Sequence, residues 1–261
     1  MKTKKLLPVK RLFYDLETSP NVVLSWRIGY KINLDHDNLL KERAIICIGY
    51  KWENDPVVHS LTWDTHQDDK AMLTAFHKVA TEADELVAHN GDSFDMPWLK
   101  SRCIYHGLPP IPDNKTVDTL QWARRKFLFN SNRLDYIAKF LGLGGKIKTE
   151  FGLWKDIVLK NDRKALAKMV DYCKRDVALL EQVWKRMSIH VAAKTHAGVT
   201  GGLDKWTCPR TGSTNVKKNK TRVTANGTRQ HQMQSMVDGG YYTISEKAYK
   251  EYLEAKKKAA A

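Results

Sequence analysis

The chain reads as an α/β protein, a mixed sheet flanked by helices, with a small basic C-terminal β-hairpin or ribbon-like appendage. Strand-like patterning fills the first 63 residues, and helical spacing takes over from about residue 68. Charge then shifts along the chain: residues 187–261 hold 13 Lys/Arg against 5 Asp/Glu, while residues 1–186 hold 31 against 24. Strands followed by alternating helices fit a mixed sheet. The basic tail sets the division: one domain over 1–190 and a C-terminal module over 191–261.

Strands are expected at 10–16, 22–28, 44–52 and 57–63, then a helix at about 68–82. A short buried strand at 86–89 leads into Asn90-Gly91-Asp92-Ser93-Phe94-Asp95 and a helix at about 95–106. Leu108-Pro109-Pro110-Ile111-Pro112 is a stiff connector. Helices follow at about 118–128 and 133–141, the second stopped by Gly142 and Gly144-Gly145. In 162–187, Leu166, Met169, Val170, Cys173, Val177, Leu180, Val183 and Trp184 recur at helical spacing. Asn161 or Asp162 supplies its N-cap.

Acidic residues in three separate segments carry the chemistry. Asp15 and Glu17 sit at i and i+2 of the first strand, so both side chains leave the same face. Asp95 closes the second segment. Tyr172 and Asp176 are i and i+4 on the long helix and share a face. Acids gathered in space repel and are costly to bury unless cations offset them. Each segment alone has an ordinary reading: a solvated strand end, a helix N-cap before Pro97, or the surface of an amphipathic helix. Together they point to a site for hard, oxygen-seeking cations.

These segments, Asp-x-Glu, Asn-x-x-x-Phe-Asp and Tyr-x-x-x-Asp in order, resemble the motifs of the DEDDy subgroup of DnaQ-like, ribonuclease H-like 3′→5′ exonucleases. The resemblance spans about Arg11 to Trp184 and includes Thr18-Ser19-Pro20 and Val117-Asp118-Thr119-Leu120. It lies nearest the YprB-type exonucleases, many from phages, that are similar to the proofreading domain of family B polymerases. It implies a ribonuclease H-like fold and two divalent cations, Mg²⁺ or Mn²⁺. Asp15, Glu17 and Asp176 would hold one, and Asp15 with Asp95 the other. One ion serves the attacking water and the other the leaving 3′ oxygen. Tyr172 would orient that water; with an ordinary pKa of about 10 it is a poor full base. Asp118 is expected to be structural.

The resemblance also implies substrate contacts. Thr18 and the backbone of Leu16 would touch the terminal nucleotide, Phe94 would lie near its base, Asn90 near the scissile end, and Arg133 on a phosphate. Core packing competes for Leu16 and Phe94, and a helix-start surface charge for Arg133. None of these groups reads base sequence. The expected substrate is therefore a single-stranded 3′ end, DNA favoured over RNA.

Similar proteins often carry a C-terminal zinc ribbon. Here Cys208 is followed by Thr211, Met233 and Met236 at the positions where cysteines would stand. Structural zinc needs four Cys or His ligands, and His231 adds at most one, so no structural zinc is expected. Lys217, Lys218, Lys220, Arg222 and Arg229 suit a basic hairpin turning at Asn226-Gly227 and gripping the phosphate backbone. A partly ordered basic tail is the alternative. A Lys/Glu/Tyr helix is expected at 245–258.

The formal net charge is +15, which points to a polyanion, although Lys-rich surfaces also serve solubility. No apolar run reaches the ~18 residues of a membrane span, so no membrane partner is expected. Met1–Pro8 is too polar for a signal peptide. Cys47, Cys103, Cys173 and Cys208 are scattered, which fits a reduced, cytoplasmic location. An endonuclease with the same site and a non-catalytic nucleic-acid-binding protein remain as alternatives. A polymerase or other replication or recombination protein is a candidate partner.

Overall fold

The computed structural model describes residues 9–145 and 150–260. Met1–Pro8 and Ala261 lie outside the described residues. Two compact units result. The larger holds residues 11–124 and 128–183; the smaller holds 125–127 and the chain from Trp184 onward, together with Val9 and Lys10.

The larger unit is built on a five-stranded mixed sheet. Its order is β5 (His59–Thr62), β4 (Ile45–Trp52), β1 (Arg11–Thr18), β6 (Glu85–Ala88), β7 (Lys115–Asp118). β1, β4 and β5 pair antiparallel, whereas β1, β6 and β7 pair parallel. β1 is central, and its first four residues are buried. Arg11 enters this core because it donates to Glu85 at 2.6 Å and to Glu53 at 2.8 Å.

Alternation along β1 sorts its side chains into two layers. Leu12, Tyr14 and Leu16 pack with Met72, Leu73 and Phe76 of α1 (Lys70–Thr81) and with Met96, Leu99 and Cys103 of α2 (Asp95–Tyr105). On the other side, Ile46 and Cys47 pack with Ile157 and Val158 of α5 (Gly152–Lys160) and with Met169 and Cys173 of α6 (Arg163–Ser188). Asp15 and Glu17 leave β1 on that second side, under α6. Asp162 is the α6 N-cap, accepting from Lys164 N at 2.7 Å and Ala165 N at 3.2 Å. Asn161, at φ +52°, closes α5 instead.

Three elements depart from the sequence expectations. The strand at 22–28 shrinks to β2 (Val22–Val23), paired with the three-residue β3 (Leu39–Lys41). A register shift and a short partner end the pairing, so Trp26, Ile28 and Tyr30 stand fully or almost fully exposed despite their alternating pattern. The helix expected at 118–128 is α3 (Thr119–Lys126), and the strand β7 before it was not expected; its residues Val117 and Asp118 pair with β6 before the chain turns. α5 was not expected from the sequence, although Leu153, Trp154, Ile157 and Val158 have helical spacing. α4 (Leu134–Phe140) falls where a helix was expected.

The smaller unit holds a three-stranded antiparallel sheet, β8 (Val216–Val223), β9 (Arg229–Ser235) and β10 (Tyr241–Ser245), a single turn α7 (Ala197–Thr200), and α8 (Glu246–Ala260). The β8–β9 hairpin turns at Asn226-Gly227, where Gly227 takes φ +78°. Trp206, Cys208, Val216, Met233, Ile244, Ala248 and Tyr252 form its core. Met233 is thus a core side chain, while Thr211 and Met236 are exposed. Among the described residues no helix is long and apolar enough to cross a membrane.

Candidate active site

Asp15, Glu17 and Asp176 come together. Each offers a carboxylate oxygen, and these atoms lie within 4.8 Å of one another. β1 supplies the pair at i and i+2, and α6 lays Asp176 over them. Asp176 is buried, and the other two are half-buried. Tyr172 stands one turn before Asp176 and is also half-buried. Three carboxylates this close repel strongly, and oxygen donors of this kind are what Mg²⁺ and Mn²⁺ select.

Asp95 belongs to the same neighbourhood but not to the three-acid group. It is the first residue of α2 and 2% exposed. One of its oxygens accepts from Leu16 N at 3.2 Å. Desolvation, then the charge of nearby Asp15, pushes its carboxyl well above the usual range. It is not the N-cap of α2: Phe94 holds that position and makes no side-chain cap bond. The Leu16 side chain lies in the core and its N–H is given to Asp95, so its visible part is to hold Asp95.

The loop that delivers Asp95 is built around Asp118. One Asp118 oxygen accepts from Asn90 N and Leu120 N at 2.9 Å and from Gln121 N at 3.3 Å; the other accepts from Asp92 N at 3.3 Å. Asn90 takes φ +77°, a left-handed turn that Asn tolerates. Gly91 follows because a Cβ there would stand 2.5 Å from the Ala88 Cβ. Phe94 is 39% exposed, so core packing does not claim it.

Asn90 and Arg133 line one groove of about 540 Å³, together with His89, Arg124 and Asn132. His89 bonds Thr119 Oγ1 at 2.9 Å and the Asn132 carbonyl at 3.0 Å. His89 and Arg124 were missed in the sequence; the run Arg124-Arg125-Lys126 was the available signal. Thr18 is half-buried, and its carbonyl accepts from Trp154 Nε1 at 3.0 Å.

In the smaller unit Lys217, Lys218, Lys220 and Arg222 all lie exposed on edge strand β8. An irregularity between Lys218 and Lys220 sets Lys217, Lys220 and Arg222 opposite Gln234, Gln232 and Gln230. Those glutamines alternate along β9, so the three cations share one face. Lys218 faces the other way, its Nζ 4.9 Å from the Tyr249 ring centroid.

A second acidic group, Asp68, Asp69 and His106, could also approach a metal. Asp69 already accepts two bonds from Arg102, both at 2.8 Å, and one from Ile45 N at 2.9 Å. A guanidinium there does the neutralising a cation would do, so this group is structural.

A mixed sheet whose central strand brings two acids under a third on the facing helix supports a hydrolase acting on nucleic acid. The chain belongs to the RNase H superfamily, whose description matches residues 32–188. Asp95, Tyr172 and Asp176 fall within that match; Asp15 and Glu17 lie before it. Among solved structures, the family B DNA polymerase from the hyperthermophilic archaeon Pyrobaculum calidifontis is similar in fold. Its TM-score is 0.53 at 16% identity, over 70% of this chain and 25% of the polymerase. The chain thus corresponds to about a quarter of that polymerase. No curated protein matches.

Proposed function

We propose that this chain is a metal-dependent 3′→5′ exonuclease of the DEDDy type. It would act on single-stranded nucleic acid, DNA favoured, and release nucleoside 5′-monophosphates. The observation that carries this reading is the meeting of Asp15, Glu17 and Asp176 within 4.8 Å, with buried Asp95 held beside Asp15. We take 1–190 as the catalytic domain and 191–261 as a basic module that grips the strand without zinc.

The donor set fits Mg²⁺ or Mn²⁺. Asp15, Glu17 and Asp176 would hold one ion, and Asp15 with Asp95 a second. Bound ions would supply neutralising charge, a lower pKa for water and support for the leaving oxygen. Tyr172 would orient the attacking water with its hydroxyl. Leu16 N–H would keep Asp95 aimed at the site. Asn90, Thr18, Phe94 and Arg133 would hold the terminal nucleotide, Phe94 by stacking and Arg133 by its charge. A polymerase or other replication protein is a further proposed partner, which co-purification would test.

The test is 5′-labelled single-stranded DNA, with RNA and duplex controls, in Mg²⁺, Mn²⁺ or EDTA, alongside the Asp15→Ala protein. The expected result is a metal-dependent ladder shrinking from the 3′ end, absent in the variant. Internal cuts from the outset would replace the exonuclease with an endonuclease. Intact label in every metal, with binding retained, would leave a nucleic-acid-binding protein.

A further inference from the structure

From Phe94, which would hold the terminal nucleotide, a stripe of side chains continues along the solvent face of α2. Phe94, Trp98, Ser101 and Tyr105 are spaced by four, three and four residues, so they fall on one face of the helix. The opposite face, Met96, Leu99 and Cys103, is buried in the core. Phe94 and Trp98 rings lie 6.2 Å apart, and Tyr105 is 69% exposed. Arg43, from the chain just before β4, lays its guanidinium over the Trp98 ring at 4.7 Å. These side chains line an open groove of about 590 Å³, which Glu42 also borders.

Trp98 is half-buried and packs in part against the core, whereas Phe94 and Tyr105 stand exposed. Arg43 is exposed and makes no ion pair among the described residues. The Tyr105 ring meets the Arg102 guanidinium at 4.2 Å and the His106 ring edge-to-face at 4.8 Å, and the residue stays 69% exposed. One end of the groove, at Phe94, adjoins Asp95 in the chain. Aromatic faces interleaved with arginine suit one occupant: unpaired bases on a phosphate chain.

We infer that the α2 face formed by Phe94, Trp98 and Tyr105, with Arg43, is a stacking track for the single strand upstream of the nucleotide in the acidic site. The inference rests on the nuclease reading for the direction of the strand, but not for its binding. Helix α2 rises ~1.5 Å per residue, so Phe94 and Tyr105 stand roughly 16 Å apart along its axis. That reach covers about five nucleotides, given the ~3.4 Å per nucleotide of a stacked strand. Strands shorter than this cannot reach Tyr105.

The experiment measures binding of the full chain to fluorescent single strands of about 3 and about 20 nucleotides, DNA and RNA, in EDTA. Wild type is compared with Arg43→Ala, Trp98→Ala, Trp98→Phe and Tyr105→Ala, and with Ile104→Ala, an exposed α2 position outside the groove. Base stacking lost at one aromatic weakens binding roughly 5- to 150-fold. Half-buried Trp98, and Tyr105 already in contact with Arg102 and His106, should fall at the low end, about 5- to 10-fold for the long strand, with a smaller loss for the short one. Trp98→Phe should recover most of the loss, and Ile104→Ala should match wild type. Equal losses for both lengths, or none in Tyr105→Ala and Arg43→Ala, would overturn the track. A track that passes while the wild type cleaves nothing would overturn only the nuclease. Cleavage with unchanged long-strand affinity in all the stripe variants would overturn only the track.

Discussion

Gly49 lies so close under Cys173 that a Cβ added to it would stand 2.9 Å from the Cys173 Sγ and 3.3 Å from the Cys173 carbonyl oxygen. Gly49 is also the cross-strand partner of Asp15. The closeness of α6 to the sheet at this point is what lets Asp176 reach Asp15 and Glu17. Gly49→Ala should therefore do two things at once. Overpacking should cost about 1–3 kcal/mol, and the displaced helix should weaken metal binding. Thermal unfolding and calorimetric Mn²⁺ titration would measure both. A lower melting temperature with unchanged Mn²⁺ affinity would show that α6 spacing does not control the acid site.

Asp176 and Tyr172 share a helix face but should fail differently. Asp176→Asn removes a proposed ligand and should weaken metal binding by more than about 10-fold, the low end seen even for groups that merely support ligands. Tyr172→Phe should leave metal affinity intact and slow single-turnover cleavage by about 100-fold, the lower range for a positioned proton-handling group. If both variants lose metal equally, the division of roles is wrong.

Acid should unfold the larger unit through Asp69. Burial alone would raise this carboxyl, but Arg102, Ile45 N and His106 outweigh burial and hold it below the usual range. His106 Nε2 sits 2.5 Å from Asp69 Oδ1 and 3.9 Å from Asp68 Oδ1, and the Cys103 thiol also faces this charge. The unfolded chain binds this proton more readily than the native one. The stabilisation is therefore full above the ordinary Asp pKa of about 3.9 and is lost as pH falls through the lower native value. Asp69→Asn should flatten that acid limb. It should also cost about 3–5 kcal/mol near neutrality, because Arg102 stays buried without its partner. Urea unfolding between about pH 3 and 7 would measure this; an identical acid slope in the variant would refute it.

The basic strand should separate charge from packing. Replacing Lys217, Lys220 and Arg222 by Ala should reduce the slope of log affinity against log salt by about 0.7 for each phosphate left without its cation. Lys218→Ala should change that slope less, because Lys218 lies over Tyr249. Equal effects from all four positions would mean that the shared face has no role in binding.

Much of the larger unit was legible because its signals are local. Asp15 and Glu17 two residues apart, and Tyr172 and Asp176 four apart, have their directions set by strand and helix periodicity. Asp162 caps α6 as its side-chain chemistry suggests. Other features were not legible because pairing partners decide them. Residues 22–28 alternate well, yet only Val22 and Val23 pair. Lys115–Asp118 carry no strand signal of their own until β6 pairs with them. On β8, Lys217 and Lys220 differ in parity and should oppose each other; only the irregularity after Lys218 aligns them.

By itself the sequence determined which residues are candidates for the chemistry and which periodic element holds each one, because those properties depend on side-chain type and a spacing of a few residues. Only the tertiary structure decided that three of the four acids meet while Asp95 stands beside them, held by Leu16 N–H. It also decided that the stripe on α2 faces water beside Arg43. Both outcomes depend on contacts between segments tens of residues apart, which are set by how closely the helices can approach the sheet.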